Sequence, residues 1–119
     1  MIGGNITAIL QIGIPTQNEI GEDVVEWHDV TSFLGFLDLQ TGDSKSTTYY
    51  SKTEESTHIF ICDYKPIPEV LEIGDINVPF TEKNARMVAN SKRYDVLLID
   101  NPMELNEHYE ISLKFTGGQ

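Results

Sequence analysis

The chain has 119 residues, 39% of them hydrophobic and 9% aromatic, which is enough to bury a core and too apolar for a disordered segment. Its 19 acids against 8 bases give a net charge of −11, which excludes a protein that grips phosphate backbones, since that affinity comes from Lys and Arg displacing counterions. The single cysteine, Cys62, excludes an intramolecular disulfide and fits a reducing compartment.

No stretch approaches the roughly 20 apolar residues that span a bilayer. The start of the chain lacks the charged segment and cleavage site of a signal peptide, so the expectation is a cytoplasmic protein. The dominant hydrophobic period is two, the mark of strands with one buried face. Ile6, Ala8, Leu10, Ile12 and Ile14 share one side of a first strand, which Pro15 is expected to close. Residues 16–23, with Gly21, read as a long turn. A second strand follows over 24–30, and a third over 32–40. In the third, Phe33, Gly35, Leu37 and Leu39 alternate with Ser32, Leu34, Phe36 and Asp38. Both faces are partly apolar, which predicts a central position in a barrel or sandwich.

Composition changes abruptly over 41–56, a run of Ser, Thr and charge in which only Tyr49 and Tyr50 have packing bulk. A polar run of this length predicts a flexible loop, of the kind that is either mobile or functional. Alternation returns at 57–64, where His58, Phe60, Cys62 and Tyr64 oppose Ile59 and Ile61. Residues 65–80 carry Pro66, Pro68 and Pro79 and read as irregular, with a short helical turn at 69–71. Over 81–89 a helix capped by Thr81 competes with a strand reading. Residues 86–89 and 93–100 predict a hairpin across Asn90, Ser91 and Lys92. Asn101 and Pro102 stop the second strand of that hairpin. In the last strand Tyr109, Ile111, Leu113 and Phe115 face inward, and residues 116–119 are expected to fray. The sum is one domain over 1–119, an all-β barrel or sandwich of six to eight strands.

Candidate chemistry is sparse. His28, His58 and His108 lack any ligand spacing. His58 and Cys62 share a strand face, but four residues along a strand is roughly 13 Å, too far for two ligands of one ion. Gly42, Asp43 and Ser44 match an esterase tripeptide, yet the polar residues after Ser44 do not read as the helix that chemistry needs. Asp100, Glu104, Glu107 and Glu110 read as a solvated acidic face rather than a tuned pair. Cys62 reads as a small buried residue. The residues therefore predict no catalytic, metal or cofactor site and no enzyme. Trp27, on one face with Val25 and Asp29, reads by default as core, with a subunit-interface anchor as the alternative.

The run NARMV from Asn84, the tract KRYDVLLIDNPM from Lys92 to Met103 and the ending HYEISLKF from His108 carry a resemblance. Looser support comes from VVEWHDVTSFLGFLDLQTG, starting at Val24, and THIFICDY, starting at Thr57. Together they resemble the small head-closure or head-tail connector (stopper) proteins of tailed bacteriophages and prophages. The resemblance implies a β-barrel subunit of the virion neck, made in the host bacterial cytoplasm and acting without cofactor or membrane. It implies a ring of copies below the portal and adaptor that closes the DNA channel after packaging and receives the tail. A free monomer is compatible with this if the portal complex templates the ring. Partners would be other copies, portal or adaptor and tail proteins, with packaged DNA passing through the channel. Carried onto this chain, the gate would be the polar loop, with Thr41, Asp43, Lys45, Thr47, Tyr49, Tyr50, Lys52 and Glu54 as its candidate residues. Three alternatives stay open. The first is a tail-terminator or other neck component. The second is a non-viral carbohydrate- or peptide-binding sandwich using Tyr49, Tyr50 and Tyr109. The third is a hydrolase using Ser44 or an acid pair.

Overall fold

A computed structural model describes residues 4–39 and 57–118. Eight strands cover most of them: β1 (Ile6–Gln17), β2 (Asp23–Leu39), β3 (His58–Asp63), β4 (Val70–Ile73), β5 (Ile76–Pro79), β6 (Ala85–Ala89), β7 (Lys92–Asp100) and β8 (His108–Gly118). Among the described residues there is no α-helix, only two short 3-10 turns at Glu82–Asn84 and Pro102–Glu104. Six strands pair in the order β1-β2-β3-β8-β7-β6, all antiparallel. Because β6 pairs back onto β1, that sheet closes on itself as a barrel. The strands β4 and β5 form a separate hairpin at one end. The all-β expectation holds.

The barrel interior follows from the alternation. Ala8, Leu10 and Ile12 of β1 turn inward and are fully buried, as are Phe60 and Cys62 of β3, Met87 of β6, and Ile111 and Leu113 of β8. Each large apolar side chain sealed in this way contributes about 1.5–3 kcal/mol. The bore is narrow. A Cβ on Gly35 would stand 2.4 Å from the Ile61 carbonyl oxygen and 2.7 Å from the Phe60 ring. Glycine at that position is what lets Phe60 fill the centre. Tyr109 closes one end, its ring edge-on to Phe33 at 5.9 Å and its hydroxyl donating to the Lys65 carbonyl at 3.0 Å.

Closure of so small a barrel needs strong local twist, which bulges supply. Within two of its ladders, three residues lack a directly opposed partner. Leu10 faces Thr31 and Gln11 faces Asp29, which leaves Val30 as the extra residue of β2. In the β7–β8 ladder Leu97 and Thr116 are skipped likewise. The Val30 bulge lets 23–39 run as one strand of 17 residues where the sequence predicts two. It also reverses the phase of alternation along that strand.

Other boundaries shift for local reasons. Strand β1 runs through Pro15 to Gln17, because β6 stops pairing at Ile12 and a strand with one neighbour tolerates proline. The predicted helical turn at 69–71 is instead the start of the β4–β5 hairpin, turned by Gly74 at φ 59° with Pro79 on an outer strand. The Thr81 cap survives in reduced form. Asn84 Oδ1 accepts from the Thr81 N–H and hydroxyl, but the helix ends after one turn. The β6–β7 hairpin needs only Asn90 and Ser91, both at positive φ, as a two-residue primed turn requires. Strand β8 runs on to Gly118, pairing with Lys92 and Arg93 past the point where the sequence predicts fraying.

The interior makes two outcomes testable. Gly35→Ala should cost about 1–3 kcal/mol by overpacking the bore, read as a lowered urea midpoint; an unchanged midpoint would contradict the close approach to Phe60. Burial, with Asp63 nearby, pushes the Cys62 thiol up to about 12. The native protein should therefore leave Cys62 unmodified by a thiol reagent at pH 8, and react fully in denaturant.

Candidate interaction surface

On the outside of the barrel one residue from each of five strands lines up in a polar row. Asp29 lies opposite Gln11, Gln11 opposite Arg86, Arg86 opposite Asp95, and Asp95 opposite Lys114. Gln11 bridges its neighbours on both sides. Its amide nitrogen donates to Asp29 Oδ1 at 2.8 Å, and its amide oxygen accepts from Arg86 Nε at 2.7 Å.

Trp27 lies in the adjacent outward row, opposite Gly13. The absence of a side chain at Gly13 makes room for the indole, since a Cβ there would meet two ring carbons at 3.0 Å and Val25 Cγ1 at 2.6 Å. The Arg86 guanidinium covers the ring at 4.0 Å from its centroid, a cation–π contact. Burial, and then the charge of Arg93, lower the pKa of Arg86 from its ordinary value, although an arginine stays protonated. Beside the indole opens a recess of about 280 Å³ lined by Trp27, Lys83, Ala85, Asp95, Val96 and Leu97. Leu97, the skipped residue of β7, is part of its wall. Trp27 is therefore not the core residue that its default reading predicts. The Val30 bulge puts odd-numbered residues outward before it and inward after it, so Trp27 and Phe33 face opposite sides of the sheet.

The same phase change explains Leu34 and Phe36, which are 53% and 46% exposed. They face out beside half-buried Ile61 and Ile59 of β3. The run is central as the sequence predicts, paired to β1 on one side and β3 on the other, and its two apolar faces are one core face and one open face.

Beyond Ile12 the β1–β2 ribbon no longer pairs with β6 and continues as a two-stranded arm. Its tip is organised by Asn18, whose Oδ1 accepts from the N–H groups of Ile20 at 3.1 Å and Glu22 at 3.0 Å. Ile20 is thereby held 79% exposed.

Several candidates read from the sequence do not meet. His28 sits on the arm against Glu26 at 2.7 Å. His58 lies at the opposite end of the barrel, edge-on to Tyr94 at 5.1 Å, its pKa lowered by burial and then by Lys92. His108 pairs with Glu110 at 3.0 Å, while Glu104 and Glu107 are exposed on the preceding loop. Among the described residues no group of three or more His, Cys, Asp and Glu could hold a metal ion. Tyr109 lines an open recess of about 530 Å³ with Ile67, Pro68, Phe80 and Ile99, but at 6% exposed it is not the exposed aromatic that a binding groove of this kind requires. The loop candidates Thr41, Asp43, Lys45, Thr47, Tyr49, Tyr50, Lys52 and Glu54, together with Ser44, lie outside the described residues. The Arg86–Trp27 contact and the outward Leu34 and Phe36 are not among the features the sequence predicts. Their only signals there are the small residue Gly13 and the mismatch of phase between Trp27 and Phe33.

No protein-family model matches the chain, and no curated protein matches it in sequence. Among solved structures, the fold is similar to that of a chain in the virion of a native gene transfer agent particle, with a TM-score of 0.52. Identity is 9%, and 96% of each chain is covered.

Trp27 is the chain's one tryptophan, so its emission reports this surface alone. Arg86→Ala should shift that emission to the red and cost about 1 kcal/mol of stability while the barrel stays folded. An unshifted spectrum would mean the guanidinium does not shield the indole.

Proposed function

We propose that this chain is a structural subunit of a phage-like virion, acting in the neck as a ring that closes the DNA channel and receives the tail. The observation that carries this reading is the correspondence of fold, over nearly the whole of both chains, with a component of a gene transfer agent virion. The sequence resemblance to head-closure proteins points the same way. Surface chemistry supports it further. A tryptophan-lined recess, outward Leu34 and Phe36, and an isoleucine-tipped arm suit a protein that packs against other proteins.

The gate assignment rests on placement. Leu39 and His58 pair across the β2–β3 ladder, so the segment between them is anchored at one barrel end. The Asn90–Ser91 turn and the last residues of β8 lie at that same end. The arm leaves from the other end. In a neck ring this separates a channel-facing function at one pole from contacts between proteins at the other. The chain's net charge of −11 would favour passage of DNA without trapping it.

The test is to mix the purified protein with DNA-filled, tailless capsids and image the portal vertex. Added ring density there is expected, and a variant lacking residues 41–56 should still add it while the capsids lose DNA. Binding to tail ends instead would replace this reading with a tail terminator. Binding to neither would remove the neck role altogether.

A further inference from the structure

The charges of this chain are segregated. Before Lys45 there is no lysine or arginine at all. The arm and its base carry Glu19, Glu22, Asp23, Glu26 and Asp29 around the exposed Ile20, Val24 and Val25. Most of the bases collect on the strands that follow, interleaved there with Asp95, Asp100 and Glu110. Lys83, Arg86, Lys92, Arg93 and Lys114 belong to β6, β7, β8 and the turn that leads into β6. Arg86 and Lys114 flank Asp95 in the outward polar row, and Lys83 lines the recess beside Trp27.

We propose that copies of this chain join head to tail, the acidic arm of one lying on the cation-bearing β6–β7–β8 face of the next with Ile20 seated in the Trp27 recess. This rests on the reading of the chain as a ring subunit and names the contact that would build the ring. Two features select a second copy as the occupant. The arm presents an apolar side chain between carboxylates with no cation among them. The face presents an apolar recess bordered by Lys83 and Arg86 as well as Asp95, so the arm's carboxylates find there the cations that the arm lacks. The two patches are also different surfaces. An arm-on-arm contact would set five carboxylates of one copy against five of the other with no cation of either arm to offset them. Each copy instead gives an arm and accepts one, which is a heterologous contact, the kind that closes into a ring when its rotation permits. Among the described residues both edges of the arm are unpaired beyond the barrel, since β6 stops at Ile12 and β3 pairs with β2 only from Gly35. The carboxylates guard those edges against indiscriminate strand addition and leave a cation-bearing surface as the favoured partner.

Disulfide trapping tests this without knowledge of the virion. Ile20→Cys and Leu97→Cys are prepared as separate variants, with native Cys62 buried and silent. Mixed under mild oxidation, they should give a cross-linked dimer at least tenfold above either variant alone, and the doubly substituted chain should give a ladder. Adding Glu22→Lys and Asp23→Lys to the arm variant should lower the yield about tenfold. Lys83→Glu with Arg93→Glu on the recess variant should restore it. Cross-linking of Ile20→Cys with itself at the mixed yield would overturn the proposal in favour of an arm-to-arm dimer. A mixture no better than the single variants, or a yield indifferent to the charge changes, would overturn it outright. Trapping with an empty portal vertex would keep the contact and remove the neck role; density at the vertex without trapping would do the reverse.

Discussion

Strand β1 pairs with β2 along its whole length, from Ile6 to Gln17, but with β6 only from Ala8 to Ile12. That short second ladder is the seam at which the sheet closes. Everything inside the barrel depends on it, because without it β1 and β6 would be open edges and Ala8, Leu10 and Ile12 would lose the wall they face. Everything outside depends on where it stops. Past Ile12 the ribbon has no third strand, so the chain leaves the barrel as an arm and takes its carboxylates with it. The seam also fixes the surface chemistry, since it brings Gln11 beside Arg86 and so allows Arg86 to cover Trp27.

How far the sequence reveals this depends on whether a residue's partner is local. Alternation locates the inward faces of β1, β3 and β8 because each carries its signal within a few residues. The Asn90–Ser91 turn is legible for the same reason. The Val30 bulge is not, because nothing in 24–39 marks which residue will lack a partner; that is decided by the register against β1. Without the bulge, Trp27 falls on an apparent core face and nothing marks Leu34 and Phe36 as outward. The Pro-rich stretch misleads in the opposite direction. Its prolines suggest irregularity, yet the β4–β5 ladder accommodates Pro79 on an unshared edge. Of the candidate surface, only Trp27 stands out in the sequence, and its setting of Gly13, Arg86 and Leu97 comes from three other strands.

Two kinds of surface sit on one small barrel. Around Trp27 the chemistry is mixed, with an indole, a guanidinium and an apolar recess bordered by charge. Around Leu34 and Phe36 it is plainly apolar, with half-buried isoleucines alongside. Mixed surfaces gain specificity from charge placement, and apolar ones gain affinity from area. Strand β2 carries a part of each, Trp27 before the Val30 bulge and Leu34 and Phe36 after it.

The glycine at position 35 has a consequence for descent. The interior asks for apolar bulk at a handful of inward positions and for the absence of a side chain at one, with Phe60 filling the vacancy. Ile, Leu, Val and Met interchange at the remaining inward positions with little loss, and outward positions are answerable only to partners that themselves change. Such a barrel can exchange almost all of its letters while its shape persists, and the similar fold at 9% identity shows how few of them the shape requires. Kinship among chains of this kind is then better traced through the spacing of one small residue against one large ring, and through the place of the bulge, than through the alphabet.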